Sequence, residues 1–199
     1  MDLDFFGKYD IWAFIPEYLK GIGEVTRVLI SKGNDHLMSI TLKTFRANMC
    51  KYYSIDYKSS REKFGKIIGS VNCVPLPINH SKIFLQLKVR IPEFKGDGAM
   101  GYIDLSSIKS YSQKKDKKGT DIILKDDRIV QVLYSVSTIN KHIKNAKLIL
   151  ECYKRERGYA TYPEALENLY SSLDKPATKA DIAILAREIA TLKNSLKVF

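Results

Sequence analysis

The sequence predicts an α+β fold: a strand-rich domain with two main helices, followed by a C-terminal helical tail of coiled-coil type. Three observations lead there. Short β-branched or alternating runs recur between residues 9 and 133, separated by turn residues. Two stretches, 41–53 and 135–157, instead repeat their apolar residues every three or four positions. Past Gly158 the composition changes, which divides the chain into a main domain over 1–158 and a tail over 159–199.

The elements follow in order. Residues 9–18 (YDIWAFIPEY) read as a buried strand that stops near Pro16, with a turn at Gly21-Ile22-Gly23. Residues 24–31 (EVTRVLIS) make a second strand, Lys32-Gly33-Asn34-Asp35 a turn, and 36–40 a short return strand that completes an N-terminal hairpin. Thr41 caps the first helix, and Leu42, Phe45, Met49 and Tyr52 line one face of it. Lys43 reads as a solvated charge; Arg46 and Lys51 are secondary candidates for phosphate. Residues 57–69 are a basic, serine-punctuated segment carrying Lys58, Arg61, Lys63 and Lys66, with Gly65 allowing close backbone approach.

Pro75 and Pro77 confine the next stretch to an edge or a bend. Residues 82–90 alternate Ile83, Leu85, Leu87 and Val89 with Lys82, Phe84, Gln86 and Lys88, a half-buried strand with one wetter, basic face. A strand is expected at 100–108, then a polar loop at 110–119 with Lys114, Lys115, Lys117 and Lys118 around Asp116. Residues 121–124 and 129–133 form a hairpin. In the second helix Val136, Ile139, Ile143, Ala146, Leu150 and Tyr153 form one apolar stripe, opposite Lys141, Lys144, Lys147 and Lys154.

In the tail, Pro176 ends a short helical stretch and Thr178 caps a final helix. Ile182, Leu185, Ile189, Leu192 and Leu196 step by three and four, as heptad a and d positions do. Isoleucine at a and leucine at d favours two parallel strands, and Glu188 and Lys193 fall at g and the following e. The competing arrangement packs this stripe on the main domain, a wider buried face that Ile184 would join.

A formal net charge of +11 and a pI near 9.4 favour a polyanionic partner. No apolar run approaches the length of a membrane span, and the acidic start MDLDFFGKYD is unlike a signal peptide, so a cytoplasmic protein is expected. Cys50, Cys73 and Cys152 form no CxxC pair and read as plain thiols. Phosphate loops, nucleophile elbows and metal-spaced His, Cys or carboxylates are missing from the sequence, so the expectation is a non-enzyme with no cofactor and no metal. A metal-dependent nuclease, with Glu93, Asp97, Asp104 and Asp121 as converging acids and Lys109 as the lysine partner of Asp104, is a minor alternative.

Several stretches together resemble the competence transcription factor family, ComK. They are Cys50-Lys51-Tyr52-Tyr53, Ser60-Arg61, Pro75-Leu76-Pro77-Ile78, Ile83-Phe84-Leu85 and Gly101-Tyr102-Ile103-Asp104. In that family a Cys with aromatics precedes a Gly/Ser-Arg element, a proline-containing apolar bend, an aromatic strand and a strand that ends in a serine-rich turn. The resemblance runs over residues 12–155 and leaves the tail without a counterpart. This chain has Ser60 where the family tends to have Gly. What the resemblance implies is a bacterial transcription regulator that binds double-stranded DNA at paired A/T-rich boxes, largely through the minor groove, as a dimer or a dimer of dimers. It would activate genes for DNA uptake and recombination, in the cytoplasm at the nucleoid.

The DNA-binding residues expected are therefore Lys58, Arg61, Lys63, Lys66, Lys114, Lys115, Lys117 and Lys118. The expected oligomerisation residues are Ile182, Leu185, Ile189, Leu192 and Leu196. The alternative from another class is a coiled-coil adaptor whose charge serves an acidic protein partner.

Overall fold

The computed structural model describes residues 3–93, 97–114 and 118–158, and in the tail the helical positions 182, 185, 186, 189 and 193. The chain divides into two compact units, Met1–Tyr159 and Ala160–Phe199. In residues 160–199 five Lys/Arg are matched by five Asp/Glu, so the whole formal charge of +11 resides in the first unit.

The fold is α+β, with two antiparallel sheets. The larger sheet contains β1 (Ile11–Leu19), β2 (Gly23–Ile30), β3 (His36–Met38), β4 (Leu76–Pro77), β5 (Ile83–Lys88) and β6 (Met100–Asp104). Their order is β3-β2-β1-β6-β5-β4. The smaller sheet contains β7 (Ile108–Gln113), β8 (Thr120–Leu124) and β9 (Ile129–Val132) in sequence order. The helices are α1 (Phe5–Lys8), α2 (Leu42–Tyr52), α3 (Tyr57–Ile68) and α4 (Val136–Glu156).

The larger sheet is buried on both faces. Ala13, Leu29, Leu85 and Ile103 point to one side, where Ile139, Ala146 and Ile149 of α4, Phe64 of α3 and the inner residues of the small sheet meet them. Phe14, Val28, Phe84 and Tyr102 point to the other, against Leu42, Phe45 and Met49 of α2 and Phe6 of α1. Alternate strand residues face opposite ways, so a covered second face turns the polar positions of an alternating strand apolar. The wetter, basic face expected on β5 holds at the half-buried Lys82, Gln86 and Lys88 and fails at Phe84, which is fully buried; Lys82 is drawn into an ion pair with Asp10.

Other expectations shift in detail. β1 does not stop at Pro16 but runs to Leu19, with Pro16 opposite Thr26. β6 pairs with β1 only at Ala13 and Phe14, so the missing proline N–H falls where one flank of the strand carries no ladder. Pro77 lies in β4, an edge strand of the sheet, the place its missing donor permits. The strand expected at 100–108 ends at Asp104, whose carboxylate accepts the Ser106 N–H at 3.3 Å and its hydroxyl at 2.6 Å. That cap starts a single 3-10 turn, Leu105–Ser107, which carries the chain from one sheet to the other. β7 then takes the first part of the polar stretch and ends at Gln113, after which the Lys114 N–H donates to the Gly119 carbonyl at 3.1 Å.

The main addition is α3, a third long helix where the sequence suggests only a basic segment. Asp56 caps it, accepting the Ser59 N–H at 3.1 Å and the Ser59 hydroxyl at 2.7 Å. Gly69, at φ 61°, stops it in the left-handed conformation. The Ser70 N–H returns to the Gly65 carbonyl and the Gly69 N–H to that of Lys66, a Schellman ending. A β-carbon on Gly65 would stand 2.7 Å from the Ser70 carbonyl oxygen, so this closure needs glycine there too.

Candidate nucleic-acid interface

α3 positions the first predicted basic group. Lys58, Arg61 and Lys66 border one shallow concavity of about 650 Å³, at whose edge Val71 is 77% exposed. The Arg61 guanidinium donates from Nε at 3.1 Å and Nη2 at 2.6 Å to the Val71 carbonyl, so it also fastens the loop that follows the helix. Lys66 lies 3.5 Å from Glu62, one turn back. Lys63 is not brought to this concavity. It faces α4 and pairs with Glu156 at 2.5 Å. Three of the four predicted residues therefore share a rim, and the fourth joins two helices.

The second predicted group belongs to the β7–β8 connection. Lys114 leaves β7 with its Nζ 3.2 Å from the Gln131 side-chain oxygen on β9. Lys118 lies two residues before β8. Lys115 and Lys117 lie outside the described residues.

A third basic row, named in the sequence as the polar face of the second helix but not assigned to DNA there, lies on α4. Lys141, Lys144 and Lys147 are exposed along α4 at intervals of three. None of them has a carboxylate within ion-pair distance among the described residues, in contrast to Lys63, Lys66, Lys82 and Lys109. The legible signal was the spacing itself, with no acid on the helix before Glu151. His142 adds no charge to this row. Burial first, and then the neighbouring Lys141, hold its imidazole below the usual histidine range, and its ring stacks on Tyr134.

The resemblance residues fall on α2, α3, β4, β5 and β6, the last three being neighbours in the large sheet. Arg46 turns inward and bonds the Tyr57 and Tyr102 hydroxyls, while Lys51 stays exposed. The Asp104–Lys109 pairing that a nuclease centre would need is not formed. Asp104 is buried in its cap, where burial outweighs the Ser106 hydrogen bonds and raises its pKa; Lys109 pairs with Asp127 at 2.6 Å. No group of three or more His, Cys, Asp or Glu converges on a metal position among the described residues.

In the tail, Ile182, Leu185 and Ile189 are exposed at 61%, 62% and 56% on described helical positions. Leu192 and Leu196 lie outside the described residues. Among the described residues no helix is long and apolar enough to cross a membrane. The chain matches no family model, no curated protein and no solved structure.

Proposed function

We propose that the protein is a sequence-selective, DNA-binding transcription regulator of the ComK kind. The observation that carries DNA binding is the confinement of the +11 charge to the first unit, where Lys141, Lys144 and Lys147 form a row without carboxylate partners among the described residues. Lysines of this kind release counterions from duplex DNA, the main source of affinity in basic DNA-binding proteins. The rim of Lys58, Arg61 and Lys66 and the β7–β8 loop extend the same charge. Preference for A/T-rich sites rests on the resemblance alone. It is compatible with the physics, because the narrow minor groove of A-tracts concentrates negative potential that draws in Arg and Lys. In this reading the tail joins two copies through Ile182, Leu185, Ile189, Leu192 and Leu196 into a homodimer or a higher oligomer.

Band-shift titration against A/T-rich and G/C-rich duplexes, with and without magnesium, tests this reading. Preference for A/T without cleavage supports the regulator, whereas cleavage points to a nuclease. Absence of any shift leaves the second reading, an adaptor for an acidic protein partner, which the exposed apolar positions of the tail helix favour. Replacing A·T by I·C pairs keeps the minor-groove face nearly unchanged and alters the major groove. Binding that survives this exchange supports minor-groove readout, and loss of binding argues against it.

A further inference from the structure

Arg46 is placed in the second turn of α2, behind the Thr41 cap. Its guanidinium lies 3.8 Å from the centre of the Tyr57 ring. Nη1 donates to the Tyr102 hydroxyl at 2.9 Å and to the Tyr57 hydroxyl at 3.2 Å, and those two hydroxyls bond each other at 3.2 Å. Tyr102 is fully buried, and burial holds its hydroxyl protonated well above the ordinary tyrosine range. None of these partners is a carboxylate.

That sets Arg46 apart from the other part-buried arginines, and from Lys82. Arg27 has Asp35, Lys82 has Asp10, Arg90 has Glu24, and Arg128 has both Asp35 and Asp126. Among the described residues no carboxylate pairs with Arg46, and its Nε and Nη2 have no protein acceptor. A cation withdrawn from water without a counter-charge is unfavourable, and a tyrosine face offsets only part of that cost. A carboxylate or phosphate is the group that a guanidinium edge with two free donors engages best, through two parallel hydrogen bonds.

Arg46 also lines a cavity of about 430 Å³, within the usual size range for small-molecule sites. Lys43, one turn earlier on α2, is on the same wall and exposed, and the Gln86 amide and the Thr41 hydroxyl border it too. Of the acids on that wall, Glu24 is already bound by Arg90, and Asp97 accepts from the Tyr18 hydroxyl. Neither Arg46 nor Lys43 on that wall has a carboxylate within ion-pair distance among the described residues.

We infer that this cavity is an oxyanion site, in which Arg46 grips the carboxylate or phosphate of a ligand and Lys43 supplies a second charge. The site stands apart from the DNA-binding reading and does not depend on it. Two sources share the chemistry: a free small anion, and a single phosphate of a nucleic-acid backbone.

The test uses the full chain with inorganic phosphate and succinate as probes, against chloride at matched ionic strength. Saturable heat in titration calorimetry below about 10 mM, with a raised melting temperature, is expected for at least one probe. Arg46→Gln should weaken it by about tenfold or more, the loss of one charge-assisted pair. Lys43→Gln changes an exposed residue, so it keeps the inference testable if Arg46→Gln does not fold, and it should weaken binding several-fold. No saturable binding of either probe to the wild type, or equal binding by the wild type and Lys43→Gln, overturns the site. A duplex arm separates the sources. Phosphate competition with DNA that Lys43→Gln abolishes assigns the site to the backbone; anion binding lost with DNA affinity unchanged assigns it to a free ligand.

Discussion

The ring of Phe14 stacks on that of Tyr102, with centroids 4.7 Å apart and planes 9° from parallel. The two are register partners on β1 and β6, and those strands share only one other described pair. Aromatic burial therefore does much to join the β1–β2–β3 half of the sheet to the β4–β5–β6 half. Phe14→Ala should cost about 3–5 kcal/mol, the usual range for emptying a buried aromatic site. Urea unfolding measures it. A cost near that of an exposed substitution would show that the halves are held otherwise.

The lysine row on α4 is exposed, so its replacement separates binding from folding. Lys141→Gln, Lys144→Gln and Lys147→Gln together should leave the melting temperature nearly unchanged. The slope of log K against log salt should fall in magnitude by roughly two to three, at about 0.9 for each phosphate no longer neutralised. Replacing Lys114, Lys115, Lys117 and Lys118 by Ala should lower it by roughly two to four. An unchanged slope in either variant removes that element from the interface.

Gly65→Ala places a β-carbon against the Ser70 carbonyl oxygen. The Schellman ending of α3 must open or shift, at about 1–3 kcal/mol, a typical cost of overpacking. The Arg61 bonds to Val71 lie in the loop that would move. Hydrogen exchange should show faster amides at Gly69 and Ser70 before the rest of α3. Equal exchange in both proteins would mean that the ending relaxes without opening.

His142 gives a pH dependence of definite sign. Its folded pKa is lowered by burial and then by Lys141, so as pH falls the unfolded chain takes up the proton first. Its contribution is fully present above the ordinary histidine value and is lost as pH drops below it. Between about pH 7 and pH 5 the wild type should lose more stability than His142→Gln. Parallel pH profiles for the two proteins would show that the ring titrates normally.

Truncation after Lys175 should lower the oligomeric mass in light scattering, and weaken binding to a paired site far more than to a half-site. A truncated protein of unchanged mass but lower melting temperature would show instead that the final helix belongs to the core of the first unit.

Much of the fold was legible because its signals are local. Thr41 and Ser135 cap α2 and α4 where the sequence places their starts, and the stripe from Ile139 to Tyr153 faces the core. What was hidden depends on tertiary placement. Ser59, Ser60 and Gly65 weaken the helical pattern of α3, although Asp56 before it and Gly69 after it were available as cap and stop. Phe84 reads as an exception on a polar face until α2 covers that face. In the candidate site, basic density along the chain pointed to α3 and the β7–β8 loop. Density cannot reveal which charges are already matched: Lys63 meets Glu156 from 93 residues away, whereas the α4 row meets no acid among the described residues. The isolation of Arg46 was invisible for the same reason, since Tyr102 is 56 residues distant.

The division of charge between the two units has a further consequence. Residues 160–199 are electrically neutral, so two tails approach without repulsion, while each brings a body of charge +11 that resists the approach. Added salt screens that resistance and at the same time loosens any grip on a polyanion. Self-association and DNA binding should therefore respond to ionic strength with opposite signs. A duplex neutralises the bodies locally as bulk salt does globally, so two copies would meet most readily when both already lie on the same DNA.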